Sequence, residues 1–266
     1  MKKIQLFVLA ISALAFSAKA QDLPQPSPFA SVTQRIGLTD VTVEYSRPGV
    51  KEREIFGDLV PYGKIWRTGA NASTKLITST PVTIHGENLP AGTYSIFTVP
   101  GEDEWKVMIN KDAKASEGSY SADKNAVSFS VKAEELEEDV ESMIFMFTDV
   151  QTGKANLVMA WADRSISIPI EVEYDKMAMK NIDEALSKDD VGFYSYNSAA
   201  SYYMNNGKDL DKALEWAKKS VSMKEAFYNV YNLSLVQAAR GEYKDAIKTA
   251  EKSMKLAEEA EAKAYI

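Results

Sequence analysis

Four of the six arginines in this 266-residue chain, Arg35, Arg47, Arg53 and Arg67, fall within 35–67; Arg164 and Arg240 are the others. Lys51 and Lys64 join them, as do Tyr45, Tyr62, Trp66 and Asn71. A guanidinium is a flat fork of donors that matches carboxylate and phosphate oxygens, and an aromatic face stacks on a sugar or an amide plane. Tyr45, Arg47, Lys51, Arg53, Trp66, Arg67 and Asn71 are therefore the candidate ligand-binding residues, for a small anion or a glycan. The chemistry is recognition: Arg47, Arg53 and Arg67 donate charge-assisted bonds, and Trp66 or Tyr45 supplies a platform. Glu44, Glu52, Glu54 and Asp58 are interspersed, so the competing reading is local ion pairing that tethers a long β-connection.

Other chemistries are narrow here. The chain has no cysteine and one histidine, His85. Thiol catalysis, disulfides, thiolate zinc, iron–sulfur ligation and two-His metal sites are excluded, and no metal or cofactor is expected. Gly57…Gly63-Lys64 has five intervening residues where a P-loop needs four, and Ile65 stands where a Ser or Thr would hold magnesium. Ser121-x-x-Lys124 has the spacing of a serine acyltransferase, but the Gly118-Ser119-Tyr120 approach reads as a loop and not as a helix start. Six acids between Glu134 and Glu141 lack the glycine and asparagine that let a calcium loop wrap its ion, and read as a solvated linker between strands. No catalytic motif emerges, and catalytic residues stay unassigned.

The elements that would position these residues fall into two halves. Apolar residues make up 45% and charged residues 26%, an ordinary globular balance, and the formal net charge is −7. An acidic chain is a poor counterion for phosphates, so no nucleic-acid partner is expected. Residues 1–20 read as a secretory signal peptide: Lys2 and Lys3, an apolar run over 4–16, then Ala18-Lys19-Ala20 before Gln21. Cleavage would leave 28 cationic against 38 anionic residues, a net of −10. No cysteine follows the apolar run, so lipoprotein attachment is chemically impossible. No later run reaches ~18 apolar residues, so no membrane span is expected after cleavage. The expected location is periplasmic or secreted.

From 21 to 174 the apolar residues alternate. Val41, Val43 and Tyr45 share one strand face, and Thr42 and Glu44 share the other. Further strands are predicted over 74–80, 82–84, 92–99, 105–109, 126–131, 143–147, 156–161 and 166–172. Nine or ten short strands with turn signals between them predict an antiparallel β-sandwich, jelly-roll-like or Ig-like. From 175 to 266 helical spacing takes over. A first helix over 176–187 precedes two helical hairpins, about 194–222 and 227–257. Ala213 and Ala246 lie 33 positions apart, and Gly241, Tyr243 and Ala246 resemble a tetratricopeptide repeat; a generic pair of α-hairpins is the alternative. The fold class is α+β multidomain: a sandwich followed by an all-α, tetratricopeptide-like region. Two such repeats leave an apolar flank, so the helices are expected to dock on the sandwich, a partner, or a copy of themselves.

The segments YSRPGVKEREIFGDLVPYGKIWRTGAN (45–71), AGTYSIFTVPG (91–101) and DEWKVMINKD (103–112) closely resemble an exported bacterial family, domain of unknown function 2911, common in Bacteroidota. The resemblance covers roughly residues 24–173. It implies an exported β-rich domain, in some members with a helical-repeat tail, and offers no catalytic residues to carry over. The reading that follows is an exported binding protein with a protein partner on the helical tail and an anion or glycan at 45–71. A carbohydrate-active hydrolase using Asp and Glu is the alternative; a purely architectural envelope protein is a third.

Overall fold

The computed structural model describes residues 23–263. The predicted signal peptide, 1–20, lies outside the described residues. Nine strands come first: β1 Phe29–Ile36, β2 Thr39–Ser46, β3 Lys75–Thr78, β4 Val82–Ile84, β5 Glu87–Leu89, β6 Gly92–Val99, β7 Glu104–Asn110, β8 Asn125–Thr148 and β9 Lys154–Glu171. Five helices follow: α1 Tyr174–Leu186, α2 Phe193–Asn205, α3 Leu210–Met223, α4 Phe227–Ala239 and α5 Tyr243–Glu259. The chain is α+β with a β-rich N-terminal half and a helical C-terminal half.

The strands form one antiparallel sheet in the order β1-β2-β3-β6-β7-β8-β9-β4-β5. It makes two layers because β8 belongs to both. Its first part pairs with β7, from Asn125–Asn110 to Lys132–Glu104; its second part pairs with β9, from Ala133–Ile166 to Thr148–Asn156. The inward residues of both layers meet in a single core, with the Tyr45 ring of β2 4.9 Å from that of Phe145 on β8. Strands β8 and β9 each unite two of the predicted strands, while β1 and β5 are additional. The turns follow their chemistry. His85 and Gly86, both at positive φ, close the β4–β5 hairpin as a two-residue loop.

The acidic stretch 134–141 is a correction to the expected linker: it lies inside β8. The β8–β9 register breaks between Glu135 and Val140 and again between Val140 and Ile144. An unpaired bulge bends a strand and turns side chains outward, which suits a run of carboxylates that cannot be buried. The pairing lost to β9 is taken up by the β2–β3 connection. Val50 N–H donates to Glu141 O (2.8 Å) and Met143 N–H to Pro48 O (3.0 Å).

That connection fills the core rather than hanging from it. Ile55, Phe56, Val60 and Trp66 are buried, and Phe56 and Trp66 join Trp105 of β7 and Trp161 of β9 in a four-ring cluster. Each such side chain contributes about 1.5–3 kcal/mol by leaving water.

The helices build a second core from Ala199, Ala200, Tyr203, Ala213, Ala217, Leu233 and Val236. Small residues at the crossings let the helices approach closely. Asp209 caps α3 by accepting from the Asp211 and Lys212 amides (2.9 and 3.1 Å). Asn229 joins α4 to α3, donating to Ser220 Oγ (3.0 Å) and Lys224 O (2.7 Å). Among the described residues no helix is long and apolar enough to cross a membrane.

The two halves meet at Tyr174. Its side chain lies against Gly37 in the β1–β2 turn and Gly153 in the β8–β9 turn. Beside it, Asp175 Oδ2 accepts from Lys208 Nζ (2.5 Å) and Oδ1 from the Tyr202 hydroxyl (2.7 Å), tying the start of α1 to the end of α2. The Lys208 bond, and then the Tyr202 bond, hold the Asp175 carboxyl below its ordinary range. Burial, and then Asp175, push the Tyr202 hydroxyl up. A carboxyl depressed below its unfolded value of about 3.9 stabilises fully above that value, and the contribution is lost as pH falls through the folded-state value. Unfolding curves from about pH 6 down to pH 2 should therefore show Asp175→Asn less stable than the parent at the upper end, with the two converging at the lower end. A gap that persists undiminished at the acid end would remove Asp175 as the titrating group.

Candidate functional site

The 45–71 residues divide between the core and backbone tethers. Tyr45 and Trp66 are buried; the Phe145 N–H donates to the Tyr45 hydroxyl (3.1 Å), and Trp66 Nε1 donates to Gly69 O (3.1 Å). Arg47 Nε donates to Met143 O (3.0 Å). Arg53 donates to Val50 O (2.9 Å) and Gly49 O (2.6 Å), and the Lys51 amide to Glu141 Oε1 (3.1 Å). Arg47, the Lys51 amide and Gly49 thus engage the bulged stretch of β8, while Arg53 braces the turn at Gly49 and Val50 that lies against it. Asn71, at φ 57°, donates to Ser27 O (3.0 Å) and Ser46 Oγ (3.2 Å). Arg67 donates from Nη1 and from its amide to Glu117 Oε1 (2.9 and 3.1 Å), and its buried Nε has no partner. Thr68 is buried at φ 56°, a strained conformation for a β-branched residue. Thr98 Oγ1 (3.1 Å) and a donor bond from Thr74 Oγ1 to Thr68 O (2.6 Å) hold it there.

The carboxylates whose titration is displaced move downward, each because of a cation: Asp40 beside Arg35, Asp112 beside Lys124, Asp175 beside Lys208. A general acid for glycoside hydrolysis needs the opposite displacement.

A second arrangement lies on the helices. α2 and α4 lie side by side and enclose an open groove of about 360 Å³. Tyr194, Asn197 and Ser201 line it from α2, at i, i+3 and i+7; Tyr228, Tyr231, Asn232 and Leu235 line it from α4, at i, i+3, i+4 and i+7. Those spacings put each set on one helix face. Tyr194 is 64% exposed and Tyr231 43%. Asn232 is 6% exposed and donates from Nδ2 to both Asn197 O (3.0 Å) and Asn197 Oδ1 (2.9 Å). Among the described residues no bond engages Asn197 Nδ2 or Asn232 Oδ1, one donor and one acceptor on two groove-lining residues. No lining residue is charged, and none belongs to the 45–71 set.

The groove residues are absent from the candidates read in the sequence. A signal for them exists: Phe193-Tyr194 recurs as Phe227-Tyr228 at the same offset that separates Gly207 from Gly241. The repeat was visible in the small residues, and the paired aromatics that open both groove-lining helices belong to it.

Comparison with known proteins bears on the β-rich half. A family model described as a protein of unknown function, DUF2911, matches residues 27–170. No curated protein and no solved structure matches the chain. The match runs from the approach to β1 to the end of β9, takes in the WRTGAN turn around Trp66 and Arg67, and stops short of the helices. Spanning more than half of the residues, it shows that the chain belongs to the DUF2911 family.

Proposed function

We propose that the protein is an exported binding module, periplasmic or secreted, whose tetratricopeptide-like tail holds an extended segment of another protein in the α2–α4 groove. Residues 1–20 would be its signal peptide, 21–174 a rigid β-domain, and 175–266 the helical domain. The observation that carries the reading is the amide pair. Asn232 holds Asn197, which leaves one amide N–H donor and one carbonyl acceptor on two residues that line the same groove. A peptide unit offers the complementary acceptor and donor. The tyrosines beside them supply rigid contact area at small cost in side-chain entropy. The uncharged lining favours partners with neutral side chains and an affinity that changes little with salt.

An anion or glycan at 45–71 has less support, because Arg47, Arg53 and Asn71 already satisfy backbone or hydroxyl groups and Arg67 is matched by Glu117. The hydrolase reading has less still, given the lowered carboxylates.

An array of extended peptides lacking charged residues, with salt varied, tests the groove. Binding should survive salt and weaken about tenfold or more, roughly 1.4 kcal/mol per decade, in both Tyr194→Ala and Asn197→Asp. Asn197→Asp keeps the Asn232 bond but removes the free donor. Binding indifferent to both substitutions, or no binding by any peptide, would overturn the proposal.

A further inference from the structure

Helix α5 packs on α4 through Ala246, Ser253 and Ala257, as an amphipathic helix should. Its other side is not the polar face that rule leads one to expect. Tyr243, Ile247 and Met254 are 67%, 59% and 43% exposed, and with Ala250 they form one stripe at i, i+4, i+7 and i+11. Exposed apolar stripes on a helix mark a surface that something covers.

We propose that the cover is a second copy of this chain, its α5 running antiparallel to the first. The stripe is self-complementary in that arrangement. A two-fold axis between positions 248 and 249 sets Tyr243 against Met254 of the other copy and Ile247 against Ala250 of the other copy, and each pairing occurs twice, as an isologous contact requires. Small Ala250 sits opposite the larger Ile247, so the two helices can interdigitate near the axis.

The charges beside the stripe select the same direction. Lys244, Lys248, Glu251 and Lys255 lie along one flank, and among the described residues none of the four makes an ion pair within the chain. With the helices antiparallel, same-side flanks meet, and Glu251 of one copy falls midway between Lys244 and Lys248 of the other. A parallel pairing would bring opposite flanks together, setting these charges against the Ala246 and Ser253 side of the other copy, where none of them finds an opposite charge. Flanking charges of this kind fix orientation in paired helices. A contact of one helix per copy is smaller than the standard interface of about 1,600 Å², so the dimer forms at micromolar concentration or above and dissociates on dilution. The stripe is separate from the α2–α4 groove, and the two proposals stand or fall independently.

Sedimentation velocity on the purified protein, from about 1 to about 500 µM, reads the equilibrium. The parent should pass from monomer to dimer. Ile247→Glu should stay monomeric, Glu251→Lys should weaken association at least tenfold, and Lys244→Glu/Lys248→Glu/Glu251→Lys should restore it. All four positions are exposed, so circular dichroism should show the helical content unchanged. A parent that is monomeric throughout overturns the proposal. So does a dimer that ignores Ile247→Glu, or one that ignores the reversal and restoration of charge.

Discussion

Trp66→Ala is expected to destabilise the β-rich half by about 3–5 kcal/mol, the usual range for deleting a buried tryptophan. The ring stacks on Trp161 at 5.8 Å and 22°, and meets Phe56 and Trp105 edge-on at 6.2 Å each. These contacts join β7, β9 and the β2–β3 connection, so the cavity would open where both layers and the connection converge. The substitution also leaves Gly69 O without the indole donor, inside a turn that carries the strained Thr68. The neighbours cannot collapse easily into the space, because the backbone of Trp66 is itself fixed by paired bonds to Thr98 (2.8 and 2.9 Å). Trp66→Phe should keep much of the burial and lose the hydrogen bond, at a cost of about 1–2 kcal/mol. Denaturant unfolding followed by tryptophan emission measures both. A Trp66→Ala protein of parental stability would return this residue to the role of ligand platform.

Gly37→Ala should be the most damaging methyl group that can be added at a turn. The new Cβ would sit 2.5 Å from Tyr174 Cβ and 3.0 Å from Thr152 O. Real atoms do not approach so closely, so Tyr174 must leave its seat, and α1 with it. Gly37 is also at φ +56°, a conformation that costs an L residue about 1–2 kcal/mol. Added to overpacking of about 1–3 kcal/mol, the total is about 2–5 kcal/mol. Gly207→Ala separates the two causes. It has φ +61° and open space around the added atom, so only the conformational cost of about 1–2 kcal/mol applies. Tyr174→Ala in the Gly37→Ala background should recover part of the loss, giving a non-additive cycle. The direct readout is proteolysis at 172–175, which should accelerate in Gly37→Ala and not in Gly207→Ala. Equal cleavage of the two variants would mean that Tyr174 does not hold the helical half against the sheet.

Elements whose signal is local were legible. β6 runs over the predicted residues because a β-branched and aromatic stretch is bracketed by Pro90-Ala91 and Pro100-Gly101. The helices α2 to α5 begin and end near the predicted hairpins, since Gly207 and Gly241 interrupt the helical spacing. In β8 the acidic run erases the alternation midway, and in β9 the Ala162-Asp163-Arg164-Ser165 stretch does, so each strand reads as two in the sequence. What carries β8 through that run is pairing with Pro48, Gly49 and Val50, far away in the chain. β1 carries no strand signal in the sequence because neither of its faces is uniformly apolar, and β5 none because three residues have no period.

The division between the halves lies in the rhythm of the side chains, every second residue before Tyr174 and every third or fourth after it. That rhythm acts between near neighbours, so it can be read without coordinates. The fate of the arginine-rich segment is different in kind. A guanidinium with the same flanking residues can bind a ligand or tether a carbonyl, and the choice depends on which acceptor the folded chain brings within reach. For Arg47 the acceptor is Met143 O; for Arg67 it is Glu117. The groove between α2 and α4 arises the same way, from two short stretches that become one surface only when the helices pack side by side.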